Sequence, residues 1–137
     1  MTLQEDLIVD IPPERVKFFG TTGKMLLPSV ATVEALIAQI PASRLLTTTQ
    51  LRQKLTAQFN VQGTCPMTTR KALKTIAQDA SSIAPFWRVI NQDGGLISVF
   101  PGGKTAQAAR LQAEEKEIEL GKTPKVKNFA ESLVDSW

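Results

Sequence analysis

Pro85-Phe86-Trp87-Arg88-Val89-Ile90, followed by Asn91-Gln92-Asp93-Gly94-Gly95, Leu96–Phe100 and Pro101-Gly102-Gly103, is the stretch whose reading decides the fold. Trp87–Ile90 and Leu96–Phe100 read as two short strands around a five-residue loop, the pattern of a β-hairpin. Asn91, Asp93, Gly94 and Gly95 are turn residues. Gly102-Gly103 suits a turn or a close approach of backbone to a ligand. Beyond it, Thr105 can cap a helix with Ala108, Leu111, Glu115 and Ile118 in register.

Working upstream, three helices precede the hairpin. Ser29 can cap the first, whose apolar positions Val33, Leu36, Ile37 and Ile40 follow helical spacing, and Pro41 ends it. Thr48 or Thr49 can cap the second, with Leu51, Leu55 and Phe59 on one stripe. The link Asn60-Val61-Gln62-Gly63 supplies a glycine suited to a helix C-terminus. The third starts around Thr64 to Pro66 and runs to about Asp79, with Ala72, Leu73, Ile76, Ala77 and Ala80 on one side. Arg70, Lys71, Lys74 and Gln78 fall on the other. Two helices joined by a short glycine-containing link describe a helix-turn-helix, and a hairpin directly after one is a wing.

The ends are less regular. Residues 1–24 read as an extension in which Leu7-Ile8-Val9 forms a short strand, Pro12-Pro13 breaks any helix and Phe18-Phe19 pins the segment to the core. Residues 121–137 read as a tail, basic and mobile over Lys122–Lys127, with a short helix over Phe129–Trp137. The expected fold is α/β and mostly helical: a single winged helix-turn-helix domain over 25–120 with these two additions. A chain of 137 residues can bury a real core.

Charge is distributed more tellingly than its net value of +3. From Ala35 to Gln78 there is no Asp or Glu, while Arg44, Arg52, Lys54, Arg70, Lys71 and Lys74 lie inside that window. The acids gather elsewhere, at Glu114, Glu115, Glu117 and Glu119. Such a segment points to a polyanionic partner; the plainer reading is a solvated basic face.

Two absences narrow the chemistry. The chain has no histidine, so it holds no imidazole general base, Ser-His or Cys-His pair, or imidazole metal site. Its single cysteine excludes a disulfide framework and fits zinc poorly, so neither metal nor cofactor is expected. The lone thiol also makes a reducing, cytoplasmic setting the expectation. The acidic start Met1–Asp6 lacks the order of a signal peptide, and no run approaches the roughly 18 apolar residues of a membrane span. Cys65 sits by a helix start with basic residues downstream, a place that can lower a thiol pKa; with no histidine partner it reads better as a cap or core residue.

The order helix, helix-turn-helix, Pro-x-x-Arg-Val, Asp-Gly turn, Gly-Gly and Gln107-x-x-x-Leu111-x-x-x-Glu115 resembles the DNA-binding domain of alkylguanine-DNA alkyltransferases. It is closest to their non-catalytic relatives, the alkyltransferase-like proteins. The resemblance covers roughly residues 26–118 and is strongest over 85–115. In the enzymes the strand reads Pro-Cys-His-Arg-Val; the Cys takes the alkyl group and the His, oriented by a Glu, activates it. Here Phe86 takes the Cys position and Trp87 the His position, while Arg88, Val89 and Glu115 match. Neither ring offers a nucleophile or a base, so the resemblance implies a protein with no catalytic residue and no alkyl transfer at this site. Alkyltransferase-like proteins commonly replace only the Cys and keep the His; this chain replaces both.

The resemblance also implies a partner, double-stranded DNA carrying altered, flipped or alkylated bases, with a repair protein as a further candidate partner and no membrane. Arg70 stands four residues after Pro66, where the family inserts an Arg into the duplex. Thr48 stands where the family carries a Tyr that helps rotate the nucleotide. The DNA-contact candidates are Thr48, Thr49, Arg52, Arg70, Lys71, Lys74 and Arg88, the last able instead to bridge to Glu115 and hold the final helix. The base-pocket candidates are Phe86, Trp87, Val89, Phe100, Pro101 and Gly102, where the two aromatic rings either stack a base or fill the old pocket. Alternation along a strand would let only one of Phe86 and Trp87 face a given side. Two other readings stay open: a winged-helix protein-interaction domain that has lost DNA binding, and an enzyme using Cys65 or carboxylates in an unrelated reaction.

Overall fold

The computed structural model describes residues 4–134. In chain order its elements are β1 (Leu7–Asp10), α1 (Val16–Phe19), β2 (Lys24–Leu27), α2 (Val30–Ile37), β3 (Leu46–Thr47), α3 (Thr48–Gln58), β4 (Gly63–Thr64), α4 (Pro66–Gln78), β5 (Val89–Ile90), α5 (Gly103–Ala113), β6 (Ile118–Glu119) and β7 (Lys125–Val126). The fold is mixed α/β, with five helices and a few short strands. No helix among the described residues is long and apolar enough to cross a membrane.

Periodicity sets the central layer. Val33, Leu36 and Ile37 of α2, Leu51 and Leu55 of α3, and Ala72, Leu73 and Ile76 of α4 are all buried in one cluster, and α4 lies against α2. Each fully buried Leu or Ile there contributes about 1.5–3 kcal/mol. Ser29 caps α2 by accepting the Thr32 N–H, and Asp6 in turn accepts from the Ser29 N–H at 2.7 Å and the Thr32 hydroxyl at 2.8 Å. The chain's beginning is therefore bonded to the start of the first central helix. Ala80 falls outside this pattern: α4 stops at Gln78, Asp79 adopts extended backbone, and Ala80 is exposed.

The second helix begins one residue earlier than expected. Thr47, not Thr48 or Thr49, is the N-cap, because Gln50 completes a reciprocal box: the Thr47 hydroxyl accepts from Gln50 N–H, and the Gln50 side chain accepts from Thr47 N–H. Replacing Thr47 by Ala should lower stability by about 1 kcal/mol in a urea titration. No change would mean the box contributes nothing.

Gly63 has a different task from the one its position suggests. Asn60 takes the left-handed conformation after α3, with φ 53°, whereas Gly63 lies in β4 and pairs in parallel with Met25 of β2. A Cβ on Gly63 would overlap the Phe19 ring, so the glycine admits Phe19 to the small cluster of Ile11, Met25 and Cys65. The strand over Leu7–Asp10 forms and pairs antiparallel with β2, giving the sheet order β1-β2-β4. Phe18, by contrast, is exposed.

The expected hairpin does not form. Phe86–Arg88 is a single 3-10 turn, β5 pairs in parallel with β3, and Leu96–Phe100 is not a strand. The loop between them does close, with Asn91 N–H donating to Gly95 O and Gly94 N–H to Asn91 O. A buried glutamine takes the place of the ladder. Gln107 of α5 accepts the Ile97 N–H at 2.7 Å and donates to the carbonyls of Trp87, at 3.0 Å, and Val89, at 2.8 Å. It joins the two runs that would otherwise pair with each other.

Helix α5 starts at the glycine pair rather than at Thr105. Gly102, with φ 80°, is its N-cap, and a Cβ there would press on Ala106. The stretch expected as a mobile tail is also structured: β7 pairs with β6, Val126 is buried, and Val126 N–H donates to Gly94 O. Apolar burial explains this, since Val126 joins Leu45, Ile90, Leu96 and Leu111 in a second cluster under α5. Phe129–Ser132 makes a 3-10 turn rather than a full helix, and Leu133 then lies parallel to Leu45. Residues 135–137 of the expected terminal helix lie outside the described residues.

Candidate nucleic-acid interface

The acid-free segment includes helices α3 and α4. Leu51, Thr69 and Leu73 turn inward, which sends the adjacent Arg70 and Lys74 toward solvent and leaves Arg52 half-buried. Among the described residues, Arg52, Arg70, Lys71 and Lys74 take part in none of the four ion pairs, which belong to Lys24, Arg88, Lys125 and Lys127. Arg52 and Arg70 line a cleft of about 250 Å³ together with Thr48 and Asn91, over an apolar floor that includes Leu73 and Ile97. Burial, then the positive charge of Arg70, lowers the Arg52 pKa against a weak opposing influence from Cys65. Two like charges held at one cleft favour an anion between them. Thr49 bonds to Gln92 at 3.0 Å, tying the start of α3 to the loop after β5, while Lys71 and Lys74 lie exposed on α4.

A second cavity, about 430 Å³, opens beside the 3-10 turn. Phe86, Trp87, Phe100 and Pro101 line it together. Phe86 and Trp87 share this cavity because their backbone is a 3-10 turn and not a strand, so the strict alternation of a strand does not apply. Phe86 meets Trp87 edge-on at 5.3 Å and Phe100 at 5.0 Å between centroids. The rings thus form a wall and leave the space open. Val89 does not join them; it is fully buried in the main core, and Gly102 serves the α5 cap instead. Arg110, absent from the sequence candidates, does line the cavity. No sequence signal marks it, since only the packing of α5 brings it to the cavity.

Arg88 faces inward. Its Nε and Nη2 donate to Glu114, the latter at 2.9 Å, and its Nη1 donates to the Ile40 carbonyl at 2.9 Å. Trp87 Nε1 donates to the same carboxylate at 2.9 Å. The carboxylate is therefore Glu114 and not Glu115: α5 ends at Ala113, and Glu115 turns into left-handed backbone with φ 68°. Burial pushes the Glu114 pKa up, but hydrogen bonds from Arg88 and Trp87, the Arg88 charge and a backbone bond from Ser43 outweigh it and hold it below the usual carboxylate range. This group fixes the tryptophan ring that forms one wall of the cavity.

Cys65 is buried at the N-cap position of α4, where its sulfur accepts from Arg15 at 3.2 Å and from Thr68 at 3.4 Å. Burial raises its pKa, and these donors together with the Thr68 and Met67 N–H groups more than reverse that. It does not line the aromatic cavity.

No protein-family model and no curated protein matches the sequence. Solved structures do match. The fold is similar to that of the S. pombe alkyltransferase-like protein ATL in complex with DNA, with a TM-score of 0.61 and 19% identity over 78% of this chain and 94% of that one. It is also similar to S. pombe Atl1 in complex with damaged DNA containing O6-carboxymethylguanine, with a TM-score of 0.57 and 22% identity over the same shares.

Proposed function

We propose that this chain, with the fold of an alkyltransferase-like protein, binds duplex DNA and recognises a damaged, extruded base without transferring an alkyl group. The observation that carries the reading is a juxtaposition. Arg52 of α3 and Arg70 of α4 line one cleft, and α4 also reaches, through Ala77, the cavity walled by Phe86, Trp87 and Phe100. The cations supply the sequence-independent attraction to phosphates, Arg70 at the cleft probes the duplex, and the rings supply a stacking surface worth roughly 1–3 kcal/mol per base. Extrusion costs a few kcal/mol, least for a damaged base, so such a pocket favours lesions. Phe86 and Trp87 bring neither thiol nor imidazole, so the bound base leaves chemically unchanged.

Arg88 is not a DNA contact in this account, since its donors are committed to Glu114 and Ile40. The cell compartment in this reading is the cytoplasm, and a repair protein would take over after recognition. A salt titration of the Arg70→Ala variant on one duplex tests the cationic face. Affinity should fall about ten-fold at roughly 0.1 M salt, and the slope of log affinity against log salt should shrink by about 1. Unchanged affinity, or binding flat in salt for the unaltered chain, would remove α4 from the interface.

A further inference from the structure

We infer that Arg110 is an anion-binding, specificity-determining residue of the aromatic cavity, selecting a guest base whose substituent carries a carboxylate. The inference rests on the proposal that an extruded base enters there. The Arg110 guanidinium carbon lies 4.5 Å from the Trp87 ring centroid and 5.3 Å from that of Phe86. The two rings stand 85° apart, so the planar guanidinium can lie flat on only one of them, and such a stacked contact leaves the N–H donors in its plane free. Among the described residues Arg110 makes no ion pair, even with Glu114 one turn further along, because Glu114 is bound to Trp87 and Arg88. The carboxylate that does line the cavity, Asp79, is turned onto Ser81, bonding its N–H at 2.9 Å and its hydroxyl at 2.6 Å.

A planar cation is thus held beside two rings at the cavity wall with its donor edge free. Carboxylates fit that edge with two parallel hydrogen bonds, a geometry a neutral alkyl group cannot use.

The test uses the full chain and three duplexes that differ at one guanine: unmodified, O6-methyl and O6-carboxymethyl. The unaltered protein should bind the carboxymethyl duplex about ten-fold more tightly than the methyl duplex, the worth of one good charge-assisted interaction. In Arg110→Gln that ratio should fall toward one, and Arg110→Lys should keep part of it. Arg110 is exposed on α5, so these variants should fold; circular dichroism checks that they do. A ratio that Arg110→Gln leaves unchanged overturns the inference, whether both affinities fall together, as for a backbone-phosphate contact, or neither does.

Should the protein prefer neither adduct to unmodified DNA, the proposed function itself has failed, and the inference is then judged without DNA. In a Trp137→Phe background Trp87 is the sole tryptophan. Its emission should be quenched by O6-carboxymethylguanosine at lower concentration than by O6-methylguanosine, and Arg110→Gln should abolish the difference. Equal quenching by the two nucleosides overturns the inference there too.

Discussion

Replacing Gln107 by Leu should lower the stability of this protein by roughly 3–5 kcal/mol, although the two side chains are of similar size. The glutamine is 1% exposed and serves three backbone groups at once: the Ile97 N–H and the carbonyls of Trp87 and Val89. Leucine satisfies none of them, and each orphaned buried group costs about 1–3 kcal/mol. A domain with 5–15 kcal/mol in total has little margin for that. The change also disconnects the turn that carries Phe86 and Trp87 from the segment leading to Phe100, so Trp87 emission should shift as the cavity wall loosens. Gln107→Glu keeps an acceptor for the Ile97 N–H but buries a carboxylate against the two carbonyls, so its loss at neutral pH should be at least as large. Urea titrations of the three proteins measure this, and a Leu variant within 1 kcal/mol of the parent would mean that water replaces the amide.

Glu114→Ala should cost about 3 kcal/mol at neutral pH, the cost of breaking a largely buried pair from one side. The Arg88 and Glu114 side chains are only 15% and 17% exposed, and the same carboxylate holds the Trp87 ring. Its pKa is depressed in the folded protein, because hydrogen bonds from Arg88 and Trp87 outweigh the opposing effect of burial. A depressed carboxylate stabilises the fold at any pH above its unfolded value, and that contribution is lost as pH falls through the folded value. The gap between parent and variant should therefore be full at about pH 7 and narrow at about pH 3.5. A gap that is constant with pH would show that the loss is packing alone. Because Glu114 orients Trp87, the variant should also bind any base in the cavity less well.

Most of the fold was legible because most of it is local. The inward faces of α2, α3 and α4 follow from the spacing of Val33, Leu36 and Ile37, of Leu51 and Leu55, and of Leu73 and Ile76. The N-cap of α3 is a local misreading; the others have a non-local cause. Three consecutive threonines can each cap a helix, and Gln50 decides for Thr47. Two strand-like runs predict a hairpin, but a glutamine from a later helix takes up their backbone groups. The basic stretch after Gly121 looks unstructured until Val126 finds the cluster around Leu45 and Leu111.

The geometry of the candidate site was legible in outline. The basic face around Arg52, Arg70, Lys71 and Lys74 could be read from the acid-free window, since a segment without acids can offer few internal partners. Phe86, Trp87, Phe100 and Pro101 do meet at one cavity. Arg110 was missed because only the tertiary packing of α5 brings it over Trp87. Glu115 was preferred to Glu114 because the family motif was matched at a spacing of four from Leu111, as if the helix continued, whereas α5 has already ended at Ala113.

The central claim is recognition without reaction, and one experiment addresses both halves. The full chain is titrated against two duplexes identical except for one O6-methylguanine, and the bound DNA and protein are then recovered and weighed by mass spectrometry. The account predicts at least about ten-fold tighter binding to the lesion duplex, consistent with one stacked base, and both molecules recovered at their starting masses. Equal affinity for the two duplexes, or a protein heavier by a methyl group, would contradict it.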